Sequence, residues 1–343
     1  MIWHTNFDFE YYLYCQKYHE KYIPNLNINN ELEYLFLWLP PKRDSTLKTK
    51  IKYPKEFLKR TTKVTNSEIK TINLEDSSPW WGNMDNLKEK INLSSKIGAY
   101  KFCLQNNINY PTSQIIQDQK DLTDAKIFSK NQTTIFRPEY SFSGRGVKII
   151  TSNDENNSLS LPTGIISKYY QRKLDFGFLL NEQTPQVIIN QVDDRGSYKG
   201  SLYFKKTTDI DQYLRLNNIK QNICNELLNL SAKIKDNNIN FEIQSDGFIS
   251  KEGELFPVIE FNCRKTMGYF LANFTNRYFS DYRISKLIIN KYKTTKKTIK
   301  LPDNILLLTP QNSYKYKLEL YIIFANSFDE ISQAEIILKR ATN

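Results

Sequence analysis

Histidine is almost missing from this chain. Across 343 residues only His4 and His19 carry an imidazole, both near the start, which argues against histidine general-base chemistry and histidine metal centres. Cysteine is sparse as well: Cys15, Cys103, Cys224 and Cys263 follow no zinc or redox spacing. Reduced thiols and a cytoplasmic location are therefore expected. No apolar run approaches the roughly 20 residues of a membrane span, so no membrane partner is expected. The opening residues Met1 to Asp8 lack the basic-then-apolar layout of a signal peptide. Glycine is low, at 11, and neither Walker A nor the dinucleotide-binding fingerprint fits the text.

What is present is ordinary in bulk. Apolar residues make up 40% and charged residues 25%, a soluble composition, and the length suits two or three lobes better than one. The net charge of +11 is unevenly spread: nine basic residues lie between Lys42 and Lys63, and a second cluster runs from Lys286 to Lys300. Such runs usually face solvent. Nucleic-acid binding is the lesser reading, with strong salt dependence as its signature, and an anionic substrate suits the charge equally.

Along the chain, Phe7, Tyr11, Tyr14, Tyr18 and Tyr22 recur at helical spacing, and core packing is the preferred reading of that stripe. Glu33 to Leu39 reads as a buried strand stopped by Pro40 and Pro41. A helix near residues 54–61 and a strand near 68–74 complete a small α/β lobe, closed by a loop around Trp80 and Trp81 that is assigned to packing. One long helix is predicted over 87–105. Strands follow near 113–116, 133–136 and 147–150, with a helix near Leu122 between them and a polar loop at 153–160. Further strands are predicted from Ile165, then at 174–180, 186–192 and 201–204, with an amphipathic helix through Ile223, Leu227, Leu230 and Ile234. A hairpin of 241–249 with 255–261 precedes a terminal strand at 318–324 and a helix with the Ser327/Glu330 capping-box spacing.

That hairpin carries the chemistry. Asp246 is followed, thirteen intervening residues later, by Glu260, with Asn262 two positions on. Residues i and i+2 of a strand share a face, so Glu260 and Asn262 can meet one cation, and the hairpin brings Asp246 beside them. Hard divalent cations such as Mg²⁺ take oxygen ligands, few of them from protein where phosphates and water fill the shell. Glu260 also sits in an otherwise apolar run, Val258-Ile259-Glu260-Phe261, where a charge is costly unless something pairs with it. Arg264 and a cation are the available partners.

A second feature is the stretch Arg137-Pro138-Glu139-Tyr140-Ser141-Phe142-Ser143-Gly144-Arg145-Gly146, between two strand-like runs. Glycines there let backbone N–H groups approach an anion, as in a phosphate nest. An ordinary hairpin turn reads equally well. Lys265-Thr266-Met267-Gly268 after the metal strand reads either as a plain helix cap or as an anion site for a substrate carboxylate.

The ordered set of Lys96, Arg137 with the Ser143-Gly144-Arg145-Gly146 loop, Asp246, Glu260-x-Asn262 and Arg264 resembles the ATP-grasp superfamily over roughly residues 85–340. The resemblance implies a mixed α+β and α/β fold: two α+β lobes clamping ATP, with a small α/β lobe before them. The implied divisions are 1–84, 85–165 and 166–343. It implies ATP with Mg²⁺, Mn²⁺ being the alternative cation, and an ADP-forming carboxylate–amine ligase proceeding through an acyl phosphate. Small-molecule or peptide carboxylates and amines would be its substrates, and a homodimer is a quaternary alternative to the monomer. By the same resemblance Asp246, Glu260 and Asn262 hold the metal. Lys96 and Arg137 contact phosphates, with arginine standing where the family most often has lysine. Lys168, Tyr169 and Tyr170 line the adenine hinge, Asp175 the ribose, and Lys205 or Lys206 reaches the γ-phosphate. Arg264 steadies the transferred phosphoryl group, and Lys265, Thr266 and Gly268 face the substrate. A relative that binds nucleotide without ligating is the competing implication.

Overall fold

The computed structural model describes residues 1–72, 76–118, 121, 132–141, 146–151, 161–180, 184–193, 197–291, 301–310 and 316–342. The helix expected near Leu122, the polar loop at 153–160 and loop residues Ser143, Gly144 and Arg145 lie outside these.

The first 79 residues build a four-stranded parallel sheet. In chain order its elements are β1 (Ile2–His4), α1 (Phe9–Tyr18), α2 (Leu26–Leu32), α3 (Leu35–Trp38), β2 (Thr46–Lys48), α4 (Lys55–Thr65), β3 (Lys70–Ile72) and β4 (Ser78–Pro79). The strand order is β3-β2-β1-β4. The run expected to be a strand at 33–39 is instead the short helix α3, and this is a correction. Leu35, Phe36, Leu37 and Trp38 are all buried, so no periodicity distinguished helix from strand. Trp38 donates its indole N–H to the Leu308 carbonyl at 2.8 Å, which ties α3 to the far lobe. The tyrosine stripe is corrected too. Phe9 and Leu13 are the buried face of α1, while Tyr11, Tyr14 and Tyr18 stay partly exposed and pack on one another. Tyr14 and Tyr18 also pack on Tyr140.

The long helix predicted at 87–105 is two helices, α5 (Leu87–Ser94) and α6 (Lys96–Gln105). Ser95 takes an extended ψ of 134° and caps α6, its hydroxyl accepting from Gly98 N–H at 3.0 Å. The break folds α6 tightly against α5: a Cβ on Gly98 would stand 1.7 Å from the Asn92 carbonyl oxygen, a contact only glycine escapes. A second four-stranded sheet follows, β5 (Ser113–Ile116), β6 (Thr134–Pro138), β7 (Lys148–Ile150) and β8 (Gly164–Lys168), antiparallel in the order β5-β8-β6-β7.

The rest forms an eight-stranded antiparallel sheet. Its elements are β9 (Arg172–Leu179), β10 (Gln186–Val192), β11 (Tyr198–Phe204), α7 (Thr207–Leu216), α8 (Ile223–Asp236), β12 (Gln244–Ser250), β13 (Leu255–Asn262), α9 (Met267–Tyr278), β14 (Ile284–Lys291), β15 (Ile305–Leu307), β16 (Leu318–Ala325) and α10 (Phe328–Thr342). The order is β13-β12-β9-β10-β11-β14-β16-β15. Alternation along the strands sends Phe176, Phe178, Val187, Ile189 and Phe261 to a core shared with α7, α8 and α10. Leu179, Ile188 and Tyr203 face the other way, onto α9 and the aromatic residues of the first lobe. Helix α6 lies along β13 at the sheet's free edge, Phe102 packing edge-on against Phe261.

Candidate active site

The hairpin of β12 and β13 places Asp246 directly opposite Glu260 and Gln244 directly opposite Asn262. On the other side Asp246 is in register with Gly177 of β9. Gly177 clears room here: a Cβ would lie 2.7 Å from Gln244 Nε2 and 3.3 Å from Asp246 Oδ1. Asp246 Oδ1 accepts from Gln244 Nε2 at 2.8 Å, and Oδ2 accepts from Asn262 Nδ2 at 2.8 Å. Burial, with the Glu260 carboxylate beside it, pushes the Asp246 carboxyl up to about 7. Burial works to raise Glu260 as well, but the Lys96 ammonium and Arg137 guanidinium outweigh it and hold that carboxyl below its ordinary value.

Two cations converge on this pair. Lys96 Nζ lies 2.8 Å from Glu260 Oε2 and 3.2 Å from the Ser141 carbonyl oxygen, just before the glycine loop. Lys96 opens α6, where the helix dipole disfavours a cation, so its position needs the Glu260 charge. Because consecutive strand residues point to opposite faces, Glu260 can meet Lys96 while Phe261 stays in the core. Arg137, at the end of β6, donates to the Ile259 carbonyl at 3.2 Å, to Tyr110 Oη at 3.1 Å and to Ser167 Oγ at 3.1 Å. Its Nε is buried and has no hydrogen-bond partner among the described residues.

The remaining expected site residues are more dispersed. At the hinge, Lys168 N–H donates to the Thr112 carbonyl at 2.9 Å and Tyr169 N–H to the Thr133 carbonyl at 3.0 Å. These two donors are therefore taken, not free for a base edge. The Tyr170 ring packs on Phe256 and Phe248, and the hollow between Arg137, Ser167, Tyr170 and Phe248 measures about 20 Å³. That is room for about one water molecule. Asp175 accepts from Arg172 Nη1 at 2.6 Å, and Lys205 turns to the Ser280 carbonyl at 2.5 Å. Gly146 takes a φ of +74° at the far side of the glycine loop. Arg264 pairs with Glu10 of α1 and lies over the Trp81 ring, 5.8 Å from its centroid. Trp80 and Trp81 are buried, as packing requires. Lys265 Nζ donates to both Glu242 oxygens at 2.8 Å. Thr266 caps α9, accepting from Tyr269 N–H at 3.0 Å, and its hydroxyl bonds Gln244 Oε1. Gly268 sits against Ile188 and Gln244.

Several neighbours were missed from sequence. Asn190 Nδ2 approaches Asp246 Oδ1 at 3.5 Å, and Asn190 Oδ1 accepts from Ser201 Oγ at 3.1 Å. Ser201 in turn meets the Tyr198 hydroxyl at 2.5 Å, and burial raises that phenol above its ordinary pKa. A carboxamide inside the apolar run Val187-Ile188-Ile189-Asn190 was a readable signal. Glu10, Tyr110 and Glu242 gave none, since each acts on a residue distant in sequence.

The donor set suits a hard divalent cation. Among the described residues no three His, Cys, Asp or Glu side chains group together as metal ligands. What stands there is two carboxylates and a carboxamide, few protein ligands, as Mg²⁺ accepts when phosphates and water complete its shell. Asp246, half-buried beside the Glu260 carboxylate, is pushed toward its neutral form, a charge conflict that a bound cation would relieve.

No family model matches the sequence, and no curated protein matches it. Solved structures do. Biotin carboxylase from Campylobacter jejuni, as a β,γ-ATP complex, superposes with a TM-score of 0.58 at 11% identity, covering 99% of this chain and 90% of that one. The biotin carboxylase domain dimer of Hydrogenobacter thermophilus 2-oxoglutarate carboxylase, with MgADP, ADP and bicarbonate, gives 0.57 at 11% identity over 91% and 86%. N5-carboxyaminoimidazole synthase from Aspergillus clavatus, with ADP and 5-aminoimidazole ribonucleotide, gives 0.52 at 10% identity over 88% and 82%. Among the described residues no helix is long and apolar enough to cross a membrane. From its three sheets, their order and these superpositions, the chain has the ATP-grasp fold.

Proposed function

We propose that this chain is an ATP- and Mg²⁺-dependent ligase that activates a carboxylate and passes the acyl group to an amine or another nucleophile, releasing ADP. One observation carries the reading: Asp246 and Glu260 stand opposite each other across β12 and β13, with Lys96 2.8 Å from Glu260. The ATP and ADP complexes among the superposed structures support a nucleotide in the same cleft.

Phosphoryl transfer asks the protein for positioning and charge neutralisation more than for covalent help. The substrate carboxylate oxygen bonds to the γ-phosphorus as the bond to the β,γ-bridging oxygen breaks, and ADP leaves with that electron pair. The nucleophile then attacks the acyl carbon, phosphate departs with the carbon–oxygen bonding pair, and the nucleophile's proton passes to solvent. Lys96 and Arg137 oppose the phosphate charge throughout, the unpartnered Arg137 Nε being one free donor. Asp246, Glu260 and Asn262 would hold the cation, which supplies further charge neutralisation when bound. Gln244 and Asn190 keep the Asp246 carboxylate aimed.

Substrate-dependent ADP release, screened over carboxylate and amine pairs with mass spectrometry of the product, tests the reading. Glu260→Ala should lower turnover by more than the 10²–10³ typical of losing one such stabilising group. Undiminished ADP release in that variant would overturn the assignment.

A second reading has its own observation. Arg264, expected to steady the transferred phosphoryl group, is held by Glu10 instead. This favours a nucleotide-responsive protein that does not ligate, and it predicts ATP binding with no ADP release on any substrate pair.

A further inference from the structure

A cleft of about 780 Å³ opens between the first lobe and α9. Its two walls differ in chemistry. Trp3, Pro40, Pro79 and Trp80 make an apolar wall on the first lobe. Opposite, Tyr269, Asn273, Asn276 and Arg277 present one side of α9, their spacing following the helical repeat. Arg277 Nη1 reaches across to the Pro40 carbonyl at 2.7 Å and so sets the distance between the walls.

The end of the cleft nearest the candidate active site is charged. Lys265, three residues beyond Asn262, lines it with Glu242 and Asp85. Its backbone N–H is anchored to the Trp81 carbonyl at 2.9 Å. The cleft thus holds two cations, Lys265 and Arg277, against two anions, Glu242 and Asp85; Lys265 Nζ is paired with both Glu242 oxygens at 2.8 Å, so a ligand's carboxylate would share that ammonium with Glu242. A polyphosphate would need an excess of positive charge there, whereas a zwitterion needs both signs. The carboxamides of Asn273 and Asn276 match the hydrogen bonds of a main-chain amide, and the Trp and Pro wall matches a bulky apolar side chain.

We infer that this cleft receives the carboxylate substrate, and that the substrate is an α-amino acid or short peptide with a bulky apolar side chain. Its carboxylate points to Lys265, toward Asn262 and the phosphate site, and its amine to Asp85, while Glu242 stays paired with Lys265. The side chain lies on Trp3 and Pro79. This assignment rests on the ligase reading for its consequence, but binding can be measured without turnover.

The test is a calorimetric titration of the full chain, without nucleotide, using L-phenylalanine, L-alanyl-L-phenylalanine, L-phenylalaninamide and 3-phenylpropionate. Tryptophan fluorescence is followed in parallel. The amino acid or the dipeptide should bind and shift the fluorescence, and the probes lacking the carboxylate or the amine should each bind at least about tenfold more weakly. Met84→Trp, which fills the cleft from an exposed position on its lining, should abolish probe binding while ATP affinity is retained. Asn273→Ala should weaken it without altering the unfolding midpoint. Equal binding of all four probes, or of none, overturns the inference. A probe that binds but supports no ADP release with ATP and any amine leaves the cleft assigned and removes the ligase reading. ADP release on non-peptidic carboxylates, with no probe bound, does the reverse.

Discussion

At the scale of single residues, the site is a problem in charge. Asp246 has an ordinary pKa of 3.8 and is pushed up to about 7 in the fold. Since its folded value lies above the unfolded one, its contribution to stability is complete below about pH 4 and lost as pH climbs through about 7. On the proposed assignment a divalent cation would bind the deprotonated pair and restore what alkali removes. The rise in melting temperature caused by Mg²⁺ should therefore grow between about pH 6 and about pH 8, and a calorimetric scan series would show it; a flat or falling response contradicts the assignment. Arg264 makes a second case. Its partner Glu10 is a carboxylate, and on the ligase reading it stands where an anionic substrate group or phosphate would sit. Breaking a largely buried pair from one side costs up to about 3–5 kcal/mol, less here because both side chains keep some exposure. Glu10→Gln should therefore unfold at lower urea and yet bind sulfate more tightly, measured by competition with a fluorescent nucleotide. Unchanged sulfate affinity would show that Glu10 does not compete for Arg264. The meeting of Asp246 with Glu260 and Asn262 was legible because its spacing is local to a hairpin; Lys96 came only from the resemblance, since the break at Ser95 that puts it at a helix start was not read. Glu10 was not, because 254 residues separate it from Arg264 and no local pattern encodes that pairing.

At the scale of elements, most strands follow from apolar runs and turn residues, since each is short and locally patterned. The hairpin of β12 and β13 is the clearest, with register that brings Asp246 to Glu260. Two elements misled for different reasons. Helix α3 is buried on every side, so its sequence has no polar face to betray a period. The break at Ser95 hides inside a helical pattern because serine both tolerates a helix and caps one. Gly98 is the residue that permits the break, and adding a methyl group there forces a clash with Asn92. Gly98→Ala should destabilise by about 1–3 kcal/mol, as overpacking does, read from the urea midpoint at unchanged slope. It should also weaken ATP binding, because α6 carries Lys96. A neutral effect on both would mean the α5–α6 junction does not position that lysine.

For the whole molecule, side chains tie the first lobe to both later sheets, and those two sheets to each other. The first lobe is not a bystander: α1 sends Glu10 to Arg264 and Tyr18 to Glu139, the residue whose carbonyl accepts from Lys96 N–H at 3.0 Å. One helix thus touches both the metal-strand arginine and the start of the glycine loop. Such long-range closure was invisible in the sequence, whereas the order of motifs pointed to the fold. Asp246, Glu260 and Asn262 are proposed to hold a divalent cation against a nucleotide. Electron paramagnetic resonance of Mn²⁺, titrated into the protein with and without ATP, tests it most directly. The wild type should immobilise Mn²⁺ in an ATP-dependent manner, and Glu260→Gln should lose that signal while remaining folded. Mn²⁺ immobilised equally by wild type and variant, or bound with no dependence on ATP, would contradict it.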